Sequence, residues 1–424
     1  MSTPNVLPAG AKAITTGLRS VYQPIVDLRN GSVVAYEALV RGPEGGEFEQ
    51  PDPLFAAARE QGLTAELDWA CRAAAFDGAL AAGLSAPSTL FVNVEPDAVD
   101  APCPPQFLNT MARAREGVRA VFEVTERALA NKPAELLRVV EEIRAEGWGI
   151  ALDDVGADWR SLALMPFIRP DVIKLDMHLV HAPLDTKGAL VGEAVRAYAG
   201  SSGAHILAEG IETEAHRQRA LALGATFGQG WMFGRPGPLP DVFPKGIEPH
   251  PQFVVARQPL SDSTPVEAIE DFTPMDMAEK ADLFALSRTM ERRALATTEP
   301  CVILSTFQTA DHFNPATARL YTKLASRSAF VGAFGQRMSL EPAPGVRGAS
   351  LPNNHRLLGE WVVIVVAPHY AGALIAQDLG DHCSDMQRRF RYAVITDREL
   401  VLRAARPLML RMSALQGVDH PAPQ

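Results

Sequence analysis

The segment ALDDVGADWRSL (151–162) ends an apolar run on two adjacent carboxylates, Asp153 and Asp154. Other reactive residues lie in similar places, within or at the end of short apolar runs: Glu37 in SVVAYEAL (32–39), Asn93 in TLFVNV (89–94), Glu123 in RAVFEVT (119–125), Lys174 in DVIKLD (171–176), Glu209 in HILAEG (205–210) and Gln229 in TFGQG (226–230). A single acid at a strand end is commonly a helix cap or a solvated group. Five acids meeting in one mouth would repel and raise one another's pKa unless cations lay among them. Oxygen ligands suit a hard ion such as Mg²⁺ or Mn²⁺. There are enough acids for two ions, with Asp153 the choice to bridge a pair held roughly 3.5 to 4 Å apart, the spacing used for in-line attack on phosphorus. Lys174 should stay protonated among these acids and orient the nucleophile or the phosphate. Glu209 is the candidate general base.

What would bring these residues together is a succession of strands. The apolar runs above, with SVYQPIV (20–26) and WGIALD (148–153), make eight, and from the third onward each is followed by a stretch of helical period. Eight strands with interleaved helices, and no glycine-rich phosphate turn, predict an α/β fold: a closed (β/α)8 TIM-like barrel whose strand C-termini share one face. DLRNGSV is too short for a helix, and Asn30-Gly31 is a hairpin signal, so the first strand should run antiparallel to its neighbour.

Composition narrows the function classes. A length of 424 residues with 47% hydrophobic and 21% charged residues predicts two globular domains. The net charge of −10 argues against polymeric nucleic acid as a partner. Cys71, Cys103, Cys301 and Cys383 show no paired spacing and read as buried reduced thiols. No basic, apolar leader opens the chain, and the densest apolar run, WVVIVVA (361–367), is too short to span a bilayer, so a cytoplasmic protein without a membrane span is expected.

YQPIVDL, YEALVR, FVNV, FEVTE, ALDDVG, VIKLD, AEGIE and QGWMFGRP, in that order from residue 18 to about 240, resemble the EAL domain, whose signature here reads Glu37-Ala38-Leu39. Members of that family hydrolyse cyclic di-GMP to linear pGpG. The resemblance implies two Mg²⁺ or Mn²⁺ ions ligated by Glu37, Asn93, Glu123, Asp153 and Asp154, with Lys174, Glu209 and Gln229 completing the site. It also implies that Arg41 contacts the dinucleotide, that Glu126 holds the loop after the paired aspartates, and that the barrel pairs into a homodimer. Active members commonly read DDFGTGYSSL. This chain has Val155, Ala157, Asp158, Trp159 and Arg160 at the differing positions, and Ala157 lacks a hydroxyl that could bond Glu126. Two readings follow: a phosphodiesterase gated by another domain, or a cyclic di-GMP receptor that has lost turnover. No GGDEF-like stretch occurs, so the chain should degrade or sense the nucleotide and not make it.

Nine prolines between Pro236 and Pro274 mark a linker. The expected division is an N-terminal extension (1–17), the barrel (18–240), the linker (241–272), a smaller α/β domain (273–415) and a tail (416–424). In the second domain, helices are expected at 275–295, in PATARLYTKLASR, in HYAGALIAQDLG and at the C-terminus, with strands in CVILSTFQ, AFVGAFG, WVVIVVAP and YAVIT. The order LSRTMER, TFQ, LYTKLA, AFG and EWVVIVVAP is similar to the DICT domain, a presumed sensory module with an unknown ligand or partner. The scattered His312, His355, His369 and His382, like His178 and His181 in the barrel, read as solvated or hydrogen-bonded and not as metal ligands.

Overall fold

The computed structural model describes residues 14–243 and 261–412, without the side chains of Glu126 and Ser161. Contacts divide the described residues into two compact units, the first made of 14–128, 139–157 and 169–243, the second of the short segments Leu129–Arg138 and Asp158–Ile168 with 261–412. Most of the linker, residues 244–260, lies outside the described residues.

In the first unit, β1 (Arg19–Asp27), β2 (Val33–Arg41), β3 (Thr89–Asn93), β4 (Arg119–Thr125), β5 (Gly149–Val155), β6 (Val172–Leu175), β7 (His205–Ala208) and β8 (Phe227–Gln229) close a barrel in chain order. β1 pairs antiparallel with both β2 and β8, while every other pairing is parallel. The hairpin forms where its sequence signal lies: Gly31 takes φ +73°, and Asn30 Oδ1 accepts the Ser32 amide at 2.8 Å.

Helices follow β3 (Leu108–Gly117), β4 (Pro133–Ala145), β6 (Thr186–Ser202) and β7 (Glu214–Ala222), as the helical period predicts. Two corrections arise. β5 leads only to a 3₁₀ turn, Trp159–Ala163, and the four-residue helix Met165–Ile168, because Pro166 and Pro170 leave no room for more. No helix follows β8 among the described residues up to 243.

Each strand gives a buried residue to one apolar cluster, Ile25, Ala35, Phe91, Val121, Ala151, Val172, Leu207 and Phe227, with Val34 of β2 a ninth member. Side chains alternate along a strand, so the residue two positions on faces the same way. Two positions on from these in the parallel strands stand Glu37, Asn93, Glu123, Asp153, Lys174, Glu209 and Gln229. An apolar plug thus supports a polar layer at the strand C-termini, which is how the alternation of each strand delivers its reactive residue to one mouth.

The second unit is a seven-stranded sheet in the order β12–β11–β10–β13–β14–β15–β9. Its strands are β9 (Asp276–Glu279), β10 (Val302–Thr309), β11 (Phe330–Gln336), β12 (Arg347–Leu351), β13 (Glu360–Val366), β14 (Ala371–Asp378) and β15 (Arg389–Ile395), with long helices Lys280–Ala296, Pro315–Ala325 and Arg398–Met409. The expected helix in HYAGALIAQDLG is instead β14, paired on both edges and buried over Ala371–Ala376. A central, two-sided strand needs no alternation, and the Ala/Leu content that suggested a helix is overridden by pairing. The helix expected from 275 begins at Lys280, after β9. Residues 265–269, expected as linker, form a short helix with a capping box, in which Thr264 and Glu267 exchange side-chain-to-backbone hydrogen bonds.

All four cysteines are free, but only Cys301 is buried, and Cys383 is exposed. Among the described residues no helix is long and apolar enough to cross a membrane.

Candidate active site

Lys174 stands at the centre of the mouth with a side chain only 1% exposed, its Nζ 2.8 Å from Glu123 Oε1, 2.8 Å from Glu209 Oε1, 3.0 Å from Asp153 Oδ1 and 3.7 Å from Glu37 Oε1. Four strands, β2, β4, β5 and the end of β7, therefore deliver carboxylates to one ammonium. Glu37 is held from both sides: Asn93 Nδ2 donates to Oε1 at 3.1 Å, and Gln229 Nε2 donates to Oε2 at 2.6 Å.

The paired aspartates raise a geometric difficulty, since neighbours on a strand point to opposite faces. A register shift between Leu152 and Val155 resolves it. Asp154 adopts φ +57°, a left-handed conformation that aspartate tolerates better than most residues, and Gly156 follows at φ +107°. The result is that oxygens of Asp153, Asp154 and Glu209 all lie within 4.8 Å of one another.

The electrostatics reflect crowding. Burial opposes charge on Lys174, but Asp153, Glu123, Glu209 and Glu37 outweigh it and hold the pKa well above the ordinary lysine value. Burial, reinforced by Glu37, pushes Glu123 well above the carboxylate range. Burial likewise raises Glu209 to about 8, with Asp153 and Glu37 adding to it against the pull of Lys174. Asp154 is raised by burial and by Asp153. Glu37 goes the other way: burial raises it, and Lys174, Gln229 and Asn93 together bring it below the usual value.

Whether this set suits divalent cations is testable on its own atoms. Glu123 Oε2 is buried with no hydrogen-bond partner among the described residues, and the one ammonium of Lys174 is shared by four carboxylates, with Asp154 a fifth beside them. An oxygen-only donor set with excess negative charge and an orphaned buried carboxylate oxygen fits hard cations.

Arg41 ends β2 four residues beyond Glu37, on the same strand face, and its Nη1 donates to the Val40 carbonyl at 2.7 Å. The backbone of Glu126 opens the helix Glu126–Asn131, and its expected side-chain contact to the loop lies outside the described residues. In the divergent loop Arg160 is engaged with Asp158, Nη2 to Oδ2 at 2.8 Å. His178 bonds to Asp176, His181 to the Gly210 carbonyl, His312 to the Phe307 carbonyl and His369 to Glu299, and His355 Nδ1 accepts the Leu357 amide. One member of the layer escaped sequence reasoning. Gln23 lies opposite Glu37 in the ladder, and its Oε1 accepts from Gln229 Nε2 at 3.2 Å. It precedes the plug residue Ile25 by two positions, as the reversed direction of β1 requires.

A closed barrel of mixed strand direction, with carboxylates layered over the C-terminal ends of its strands, defines a β/α-barrel protein with a cation-type acidic site. Residues 11–236 match the EAL domain, more than half of the 424-residue chain, and the chain belongs to that family. Residues 263–379 match the sensory domain in diguanylate cyclases and two-component systems. A protein of Escherichia coli K12 named probable cyclic di-GMP phosphodiesterase PdeB is 30% identical over 233 residues, spanning 54% of this chain and 44% of its own. The cyclic di-GMP phosphodiesterase RocR of Pseudomonas aeruginosa is 29% identical over 227 residues, spanning 51% and 57%. The chain thus spans about half the length of these two curated relatives. Among solved structures, a manganese and cyclic di-GMP complex of Klebsiella pneumoniae BlrP1 is 29% identical with a TM-score of 0.46, covering 55% of this chain and 58% of that one.

Proposed function

We propose that the barrel is a divalent-cation-dependent phosphodiesterase that hydrolyses cyclic di-GMP to linear pGpG in the cytoplasm, regulated by the second unit and paired through the barrel as a homodimer. The observation that carries the reading is the meeting of carboxylates from four strands around Lys174, with Glu123 Oε2 left without a partner. The names of the PdeB and RocR relatives supply the substrate.

Glu37, Asn93, Glu123, Asp153 and Asp154 would hold two ions, Mg²⁺ or Mn²⁺, which when bound supply Lewis-acid activation of water and neutralise the phosphodiester. Lys174, fixed by three carboxylates within 3.0 Å, has no rotational freedom to lose and directs its ammonium at a phosphoryl oxygen or the attacking water. Glu209, whose pKa burial raises to about 8, would accept a proton from the attacking water. Gln229 and Gln23 keep Glu37 in place. Arg41 presents a planar fork to a phosphate or a guanine edge, and Glu126 holds the loop after Asp154.

A second reading, a cyclic di-GMP receptor without turnover, is favoured by the loop, where Ala157 offers no hydroxyl and Arg160 is committed to Asp158. Purified protein with Mn²⁺ or Mg²⁺ and cyclic di-GMP distinguishes the two. The phosphodiesterase yields pGpG, and Glu37→Ala abolishes that yield. Turnover indifferent to this substitution would overturn the site assignment, and tight binding without turnover in either metal would select the receptor.

A further inference from the structure

The second unit holds a cavity of about 280 Å³ that the barrel chemistry does not use. It opens between the helix Lys280–Ala296 and the sheet face formed by β10, β13 and β15. Its walls are aromatic: Phe284, Phe307, Trp361 and Phe390 line it, with Tyr321 behind. Trp361 interrupts an otherwise buried strand with a partly open side chain, and the cavity is where that open face looks.

Three carboxylates line the cavity; Asp385 is paired with Lys280 and Asp311 with Arg337, both at the exposed rim, and Glu291 is the buried one. Glu291 is 6% exposed, whereas Asp282, the other acid of its helix, is exposed. Tyr321 and Ser305 are joined by a 2.7 Å hydroxyl pair, and the Tyr321 hydroxyl donates to Glu291 Oε1 at 3.2 Å. Oε2 has no hydrogen-bond partner among the described residues; the nearest cation, Arg288 Nη1, stands 3.7 Å away and lies over the Phe284 ring. Leaving a buried carboxylate oxygen unsatisfied costs stability, so the position calls for an occupant that donates. Burial raises the carboxyl's pKa, against Arg288 and the Tyr321 hydroxyl, and a donor at Oε2 would relieve part of that penalty.

We infer that this cavity is a binding site for a small, flat aromatic molecule of one or two rings that carries an N–H group, the rings lying against Trp361, Phe307 and Phe390 and the N–H donating to Glu291 Oε2. Aromatic walls with a few convergent polar groups are the usual make-up of a small-molecule site, and the volume is at the small end of that class. Flat rings gain contact against aromatic walls without losing internal rotations. The carboxylate sets the specificity, because a ligand lacking the donor leaves Oε2 buried without a hydrogen bond, with only the 3.7 Å approach of Arg288. The inference is independent of whether the barrel turns over its substrate.

Indole and 1-methylindole are the probes, since they share the ring and differ in the N–H. Binding of each to the full chain is read by ligand-observed NMR and by quenching of tryptophan fluorescence at an excitation where the probes are corrected for. Indole should bind about tenfold more tightly than 1-methylindole, the effect of one hydrogen bond to a charged acceptor. In Glu291→Met, which keeps the side chain's length and removes the acceptor, indole should fall to the affinity of 1-methylindole, with 1-methylindole itself unchanged. Equal binding of the two probes by the unsubstituted chain, or no binding of either at millimolar concentration, overturns the inference. That comparison decides by itself should Glu291→Met fail to fold.

Discussion

Replacing Lys174 by methionine separates a structural cation from a catalytic one. The ammonium is within 3.0 Å of three carboxylates and is buried to 1% exposure. At about 3 Å and an effective dielectric of about 20, each contact is worth roughly 5 kcal/mol before desolvation is charged against it. Removing one partner of such a buried cluster costs about 3 to 5 kcal/mol net, because the remaining charges stay buried without compensation. For a barrel of this size that corresponds to a fall in Tm on the order of 10 °C in the presence of a chelator. Divalent cations replace the lost positive charge, so saturating Mn²⁺ should recover more than half of the deficit. Thermal unfolding followed by circular dichroism, with chelator and with Mn²⁺, measures both quantities. Lys174→Met unfolding at the parent's temperature in chelator would refute the ion-cluster reasoning. A deficit that Mn²⁺ leaves untouched would refute the placement of cations among these acids.

Two further outcomes are expected. Burial raises Glu360 to about 7, against the hydrogen bonds it accepts from Thr264 and the Val266 amide. A carboxyl raised in the folded state contributes stability below its unfolded pKa near 4.5 that is lost as pH rises through 7; at 1.36 kcal/mol per unit this amounts to about 3 kcal/mol. Chemical denaturation at pH 5 and pH 8 should therefore show a smaller loss in Glu360→Gln than in the parent, and an identical loss would remove Glu360 as the cause. Ala157→Thr restores the hydroxyl that the loop lacks and should raise kcat for cyclic di-GMP without changing KM, whereas a change in KM alone would tie the loop to substrate binding.

The barrel was legible because strands impose a period of two. Once the eight apolar runs are aligned, each reactive residue is two positions beyond a buried one: Ala35 before Glu37, Val121 before Glu123, Ala151 before Asp153, Val172 before Lys174, Leu207 before Glu209. The counting fails in one place, and for a physical reason. β1 runs antiparallel, so its contribution lies two positions before Ile25, at Gln23. The hairpin signal at Asn30-Gly31 already contained that reversal, and applying it to the site as well as to the fold would have found the glutamine. The adjacency of Asp153 and Asp154 was different. No strand period puts neighbours on one face, and only the register shift and the left-handed Asp154 explain how both oxygens reach Glu209.

The second unit resisted the same reading because its chemistry does not follow a local period. Ala371–Asp378 carries the composition of a helix and becomes a strand through two neighbours, one before and one after it in the chain. Glu291 offers no signal at all. It is one acid on a charged helix, and its isolation is created by Tyr321, which lies 30 residues on, and by the aromatic faces of β10, β13 and β15. Strand-end acids are fixed in direction by the backbone and so are visible in sequence; a helical acid acquires meaning only from what the tertiary fold lays over it. By that logic the barrel site is legible in eight short runs, while the cavity beside Glu291 in the second unit is legible only in the packing that leaves Oε2 without a hydrogen bond.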